Sequence, residues 1–379
     1  MPRPGQHTLP AANPTIVISA NSCWNIVNFR LGLIGALGEA GYRVIVVAPE
    51  DGHCAKLEQL GVAFVPIAIN SSGVSVIEDL RLLAQYLKIF RGVKPVAFLG
   101  FTAKPNIYGS LAARMVGAKV INNVSGLGTV FIKRGPLTLL LGQLYRFSFR
   151  TSSRVFFQNR DDMELFIGRG TVRHGQADLL PGSGVDLARF KPRRGPRRAG
   201  PFRFLLVARL LWDKGVAEYV AAARIVRAMH PEVVFQILGP VGVNNRTAVP
   251  AADLERWRAE KLVKYLGESD DVRIAMEQAD CIVLPSYREG LPRTLLEGSA
   301  MGKPLIATDA PGCRDVVVDG ETGYLCEVRS ADSLAAAMLK MLAAPAAERR
   351  RMGERGRRKV EQEFCETRVV AKYLDALGT

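Results

Sequence analysis

The chain has 379 residues, 48% of them hydrophobic, which is too long for one ordinary core and too apolar for a disordered chain. No run approaches 18 uninterrupted apolar residues, so a membrane-spanning helix is not expected. The net charge of +15 lies almost wholly in residues 1–200, with 25 Lys/Arg against 11 Asp/Glu, while residues 201–379 carry 26 against 25. Such a basic half suits an anionic membrane surface or a diphosphate. Nucleic acid is not expected as a partner, because no helix-turn-helix signature, zinc-finger spacing or aromatic-rich strand motif is present to read bases.

In chain order, Met1–Asn13 is Pro-rich without an apolar segment, so it predicts a disordered lead and no secretory signal. Thr15–Ser19 predicts a buried strand ended by Asn21-Ser22-Cys23-Trp24-Asn25. Val27–Ala40 predicts a helix with an apolar face, closed by Gly41. Arg43–Ala48, Val96–Gly100, Val120–Val124 and Val155–Gln158 predict further strands alternating with helices. Lys133-Arg134-Gly135 leads into Pro136–Phe147, whose leucines, aromatics and flanking arginines fit an interfacial helix or an ordinary core helix equally. Lys191–Pro201 is charged, rich in Pro and Gly and free of large apolar residues, the composition of a linker. Beyond it the same alternation resumes with strands at Phe204–Val207, Val233–Leu238, Ile282–Leu284 and Leu305–Ala307. A helix over Ala331–Leu342 follows, then a charged terminal helix pair from Arg349. The six cysteines are scattered, with no CxxC spacing, and read as buried thiols in a reducing compartment.

The segment Tyr287–Asp309, YREGLPRTLLEGSAMGKPLIATD, carries the most chemistry. It places Glu289 in a Gly/Pro turn after a strand and Glu297 inside the helix that follows. Pro292 suits the first helical position. The amides of Leu291, Arg293 and Thr294 would then form a helix N-terminus, a seat for phosphate. Glu297, about one and a half turns on at roughly 3.6 residues per turn, can accept both hydroxyls of a ribose. Two glutamates at this spacing alone would signify only a solvated helix face; the strand–turn–helix frame favours a sugar-nucleotide site. After Phe204–Val207, Arg209 and Lys214 stand just past a strand end and form a clamp for a diphosphate, although alone such a pair is ordinary surface charge. Ligands of open α/β sheets bind at these strand ends.

With Arg209–Gly215 (RLLWDKG), the Glu289–Glu297 pair and Gly312-Cys313-Arg314-Asp315-Val316-Val317, the chain resembles the retaining glycosyltransferases of family 4. Weaker echoes are Asn28-Phe29-Arg30, Lys104–Gly109, Ser125-Gly126-Leu127-Gly128 and Gly182–Asp186. They are similar to the bacterial subgroup that extends undecaprenyl-diphosphate-linked sugars. The resemblance implies a GT-B fold: an α/β acceptor-binding Rossmann-like domain over 1–190 and a nucleotide-sugar-binding one over 202–360. A helix over 361–379 would return to the first.

It further implies that Arg209 and Lys214 hold the donor diphosphate, Glu297 the ribose and Glu289 the donor sugar, with Gly290, Leu291, Arg293 and Thr294 nearby. On the acceptor side the candidates are Lys104, Asn106, Asn21, Ser22, Ser125 and Gly126; helix capping by Asn106 and turn formation by Asn21 and Ser22 are the alternatives. Many family members carry a first-domain histidine near the reacting centre. Here His7, His53, His174 and His230 leave none between residues 54 and 173, and the Ser125–Gly128 loop is expected in that space.

No Asp-x-Asp is present to hold a metal on the diphosphate, so neither a metal nor another cofactor is expected. The implied partners are a UDP-sugar, a polyprenyl-diphosphate-linked saccharide and an anionic membrane surface. The implied place is the cytoplasmic face of the bacterial inner membrane, held peripherally. The alternatives are transfer to a soluble acceptor, a UDP-sugar epimerase, or a basic membrane- or nucleic-acid-binding protein without activity.

Overall fold

The computed structural model describes residues 13–70, 75–126, 136–193, 195, 200–243 and 245–378. The Pro-rich lead up to residue 12, Leu127 and Gly128 of the first-domain loop, Lys133–Gly135, the side chains of 136–139 and linker residues 194 and 196–199 lie outside them.

The first sheet contains β1 (Thr15–Ser19), β2 (Arg43–Ala48), β3 (Ala63–Pro66), β4 (Ala97–Phe101), β5 (Lys119–Val124), β6 (Arg154–Phe157) and β7 (Ala177–Leu179), in the order β3-β2-β1-β4-β5-β6-β7. The second contains β8 (Arg203–Val207), β9 (Val234–Leu238), β10 (Lys264–Tyr265), β11 (Cys281–Leu284), β12 (Leu305–Thr308) and β13 (Gly323–Cys326), in the order β10-β9-β8-β11-β12-β13. Every pairing is parallel. A strand buried on both faces must be apolar throughout, which is why Ile16-Val17-Ile18 and Phe204-Leu205-Leu206 read as unbroken runs.

The helices of the first half are α1 (Cys23–Phe29), α2 (Leu31–Glu39), α3 (Cys54–Gln59), α4 (Val76–Val93), α5 (Ser110–Met115), α6 (Pro136–Phe149) and α7 (Arg160–Gly168). Those of the second are α8 (Val216–Met229), α9 (Ala251–Ala259), α10 (Arg273–Gln278), α11 (Arg293–Ala300), α12 (Cys313–Val316), α13 (Ala331–Ala343), α14 (Ala346–Glu363) and α15 (Glu366–Leu377).

The single helix expected over Val27–Ala40 is two. The backbone of Arg30 leaves the helical region (φ −133°, ψ 0°), and its side chain turns inward over the Phe101 ring at 4.1 Å. Gly41 does close the second piece in the left-handed region, at φ +86°. The short strands β3, β7, β10 and β13 carried no strong sequence signal. In α6, Tyr145 and Phe149 are buried among Phe157 and Phe166, whereas Leu140 and Phe147 are exposed, so one helix shows both a core face and a bare apolar one. No described helix is long and apolar enough to cross a membrane.

The last helix crosses back. After α14, Val185 and Phe364 pair by backbone (3.0 Å), and α15 packs on α2 with Val369 and Tyr373 buried in the first-sheet core. Lys372 binds Asp178 (2.9 and 3.0 Å) and the Tyr373 hydroxyl accepts from Asn123 (3.0 Å). The helix begins where Glu366 lies against Gly32: a Cβ there would sit 2.2 Å from the Glu366 carboxylate oxygen.

Candidate active site

In each sheet the strand order reverses once, between β1 and β4 and between β8 and β11, and such switch points open a crevice at the carboxyl ends of the strands. Lys214 follows β8 and Glu289 follows β11, so the two flank the second switch point. Gly215 (φ +71°) makes the approach possible, because a Cβ there would fall 2.0 Å from the Pro285 carbonyl oxygen. The carbonyl of Asp213 then accepts from the Tyr287 amide (2.9 Å) and the Ser286 hydroxyl (3.1 Å). Lys214 and the Glu289 carboxylate, brought together this way, form a short ion pair.

The helix after Glu289 starts one residue later than expected. Pro292 is its N-cap (φ −75°, ψ 115°) and Arg293 its first residue, because Pro292 ψ is extended. The amides of Arg293 and Thr294 are thus its opening donors, with no carbonyl behind them in the helix. The Thr294 hydroxyl donates to the Val207 carbonyl (2.9 Å), pinning this end to β8, and Leu291 is buried. Glu297 is bound by Arg293 (2.8–2.9 Å). Burial pushes the Glu297 carboxyl above the ordinary range, and the Arg293 charge pulls it partly back. Arg293 also donates to the Asn28 carbonyl of the first domain (3.0 Å). Arg209, by contrast, is exposed, and its guanidinium has no hydrogen bond or ion pair with a described residue, although its carbonyl accepts from the Leu211 amide (2.8 Å).

The first domain comes directly against this loop. A Cβ on Gly290 would lie 2.2 Å from the Ser125 carbonyl oxygen, and one on Gly126 (φ +126°) 3.1 Å from the Gly290 nitrogen. Ser125 and Gly126 therefore stand against the Glu289–Gly290 loop. Gly312 (φ +82°) backs the loop from the other side, where a Cβ would meet the Gly290 oxygen at 2.5 Å.

One acceptor-side candidate is corrected. Asn106 is buried: its amide donates to the Asn123 carbonyl (2.8 Å) and accepts from Asn122 (3.0 Å), so it neither faces the cleft nor caps a helix. Desolvated amides must find partners inside, and the β5 asparagines supply them. Ser22 is the N-cap of α1, its hydroxyl accepting from the Asn25 amide (3.2 Å), a helix cap where a turn was the alternative. Asn21 is half-buried beside it. Lys104 is bound to Asp79 (2.7 Å) and lines a cavity of about 790 Å³ shared with Arg81, Glu78 and Pro66–Asn70.

Sequence reasoning gave three features no role. Arg30 is buried, and its Nε and Nη1 have no hydrogen-bond partner among the described residues; burial pulls its guanidinium down to about 10, with Tyr373 pulling it back. Cys23 and Cys54, far apart in sequence, meet at 2.6 Å after β1 and β2, with Asp51 close by. Both Asp51 carboxylate oxygens already accept from backbone amides, those of Trp24 and His53. Third, Asn159 and Asp162 at the start of α7 grip the Arg288–Gly290 loop. A local signal existed only for Asn159, whose position before Asp161-Asp162 is that of a helix N-cap.

Residues 17–159 match the family Glycosyl transferase 4-like, and residues 189–359 match Glycosyl transferases group 1. The chain is 25% identical over 82% of its length to N,N'-diacetylbacillosaminyl-diphospho-undecaprenol alpha-1,3-N-acetylgalactosaminyltransferase of Campylobacter jejuni, of which 84% is covered. It is 26% identical over 73% of its length to UDP-Gal:alpha-D-GlcNAc-diphosphoundecaprenol alpha-1,3-galactosyltransferase of Escherichia coli, of which 74% is covered. Anabaena HepE, solved with UDP and glucose, superposes with a TM-score of 0.80 at 18% identity, over 96% of this chain and 99% of that one. The two matched segments fall one on each sheet, and the chain belongs to glycosyltransferase family 4, with the GT-B arrangement of two facing Rossmann-like domains.

Proposed function

We propose that the protein moves a hexose or N-acetylhexosamine, with retention at the anomeric carbon, from a UDP-sugar to a polyprenyl-diphosphate-linked sugar. In bacteria the lipid is undecaprenyl and the product an N-glycan, O-antigen or capsule precursor. The observation that carries this is the convergence of Lys214, Glu289 and the opening of α11 at one switch point, with Ser125–Gly126 of the other domain against it. The names of the two curated relatives support the lipid-linked acceptor.

Charge builds on the departing diphosphate as the bond from the anomeric carbon to its oxygen breaks. Lys214 and the first amides of α11 are fixed in place to receive that charge, the efficient form of electrostatic catalysis, and the exposed Arg209 guanidinium joins them on the diphosphate. Glu297 would hold the ribose, exchanging its contact with Arg293 for the two hydroxyls. Retention follows from attack on the face the diphosphate leaves: the acceptor oxygen bonds the anomeric carbon and its proton passes to the diphosphate oxygen. Glu289 orients the donor sugar and forms no bond to it. Fixed cations take the place of a divalent metal. The excess of basic residues before residue 200 holds the enzyme peripherally on the anionic inner face of the inner membrane.

The test is UDP release from a panel of UDP-sugars, with and without polyprenyl-diphosphate-linked monosaccharides. Release only when the lipid-linked acceptor is added is the expected result, and EDTA should leave the rate unchanged. Epimer formation without acceptor, or release with none of the lipid-linked acceptors, would overturn the assignment. Strict dependence on added magnesium would remove the cation account.

A further inference from the structure

Gln158-Asn159 follows β6 and opens α7, in the first domain; Arg288-Glu289-Gly290 follows β11, in the second. The Asn159 side chain has two separate tasks. Its Oδ1 accepts from the Asp162 amide (2.8 Å) and, with Nδ2 donating to the Asp162 carboxylate (3.2 Å), caps α7, while the same Nδ2 donates across the cleft to the carbonyls of Glu289 (3.1 Å) and Gly290 (2.8 Å). Asp162, fully buried, makes a short ion pair with Arg288, whose Nε has no partner among the described residues. A fully buried carboxylate is costly unless paired, and its partner here belongs to the other domain. Burial pushes the Asp162 carboxyl above the ordinary range and the Arg288 charge brings it partly back, so the group depends on the two domains staying together.

We propose that Asn159 and Asp162 are positioning residues for transfer: they hold the Arg288–Gly290 loop so that Glu289 is aligned on the donor sugar only while the two domains are closed. The proposal rests on the function given above and deepens it, because it makes catalytic competence conditional on closure. The groups assigned to UDP itself, Lys214, Arg209, Glu297 and the α11 amides, all lie in the second domain and need no contact with α7. Nucleotide binding and sugar transfer should therefore separate. An open enzyme binds UDP normally but presents Glu289 on a loop that has lost its first-domain hydrogen bonds and keeps only those of its own domain, which also limits hydrolysis before the acceptor domain arrives.

The decisive variant is Asn159→Ser, because serine caps a helix about as well as asparagine but cannot reach the opposite carbonyls. With Tm unchanged, UDP affinity by calorimetry should stay within about twofold, while kcat falls about 10–100-fold, the usual effect of a small misplacement of reacting groups. Arg288→Gln should give the same split, and the double variant little more than either single, since the residues act as one unit. An unchanged kcat, or a loss of UDP affinity in step with kcat, would overturn the proposal. Small-angle scattering reads the clamp without any activity. The double variant should have a larger radius of gyration than the wild type, and an equal one sinks the clamp even if no donor or acceptor is ever turned over. Absence of transfer in the wild type, with the radius still increasing in the variant, would count against the assigned reaction alone and uphold the clamp.

Discussion

The two sheets are built alike, parallel and doubly wound, yet they treat the polar residues at their carboxyl ends in opposite ways. After β8 and β11 the polar groups are charged and pair with each other at the cleft: Lys214 with Glu289, Arg293 with Glu297. After β4 and around β5 they are mostly neutral amides and hydroxyls withdrawn into a buried network, in which Asn106, Ser110 and Ser152 all bond to Asn122. At the cleft the Lys214 ammonium can pass from the Glu289 carboxylate to an anionic ligand, and the released carboxylate is then free to accept from sugar hydroxyls. A desolvated amide network gives up a hydrogen bond for every outward turn. The second domain is thus poised to bind, and the first is braced to present a surface.

The sharpest way to break this contrast is Lys214→Ala. It removes the cation facing the departing diphosphate and leaves Glu289 without its counter-charge. Turnover should fall about 10²–10³-fold, as for loss of one preorganised donor, with Tm little changed. Wild-type turnover in this variant would show that the paired charges are scaffold, like the amides opposite.

Asn106→Ala probes the other side. It strips partners from Asn122 and the Asn123 carbonyl inside the core, so stability should drop by about 1–3 kcal/mol in denaturant unfolding. The acceptor KM, assayed well below Tm, should not move. A raised KM with full stability would return Asn106 to the cleft.

The smallest effect concerns pH. Burial raises the folded-state Glu297 value above that of the unfolded chain, so between the two values the folded protein holds a proton that the unfolded chain has released. That contribution is complete below the ordinary glutamate range and is lost as pH rises through the raised value. Glu297→Gln should flatten this limb, gaining stability relative to wild type as pH climbs across the window, as read by Tm against pH. Donor binding runs the other way, since only the carboxylate accepts both ribose hydroxyls: UDP affinity of the wild type should fall as pH drops through the same value, and in the variant it should be flat. Parallel pH curves for the two proteins would exclude Glu297 as the group that titrates.

Much of this was legible in the chain because it is local. Apolar runs such as Ile16–Ile18 and Phe204–Leu206, each followed by a turn and a helix, fix a parallel α/β fold, because only strands covered on both faces tolerate them. Lys214 and Glu289 could be picked out because each stands within a few residues of its own strand end, where such sheets bind ligands. Tertiary structure decided what depends on how two separately folded sheets face each other. Arg288 and Asp162 are 126 residues apart, and Asn159 and Gly290 131, so no periodicity or spacing could pair them. It also decided direction. Asn106 and Ser125 follow neighbouring strands in equally polar surroundings, but the Asn106 amide turns toward Asn122 while the Ser125–Gly126 backbone meets Gly290. Composition records that a residue is polar, but whether it meets water, ligand or core is set by the packing around it.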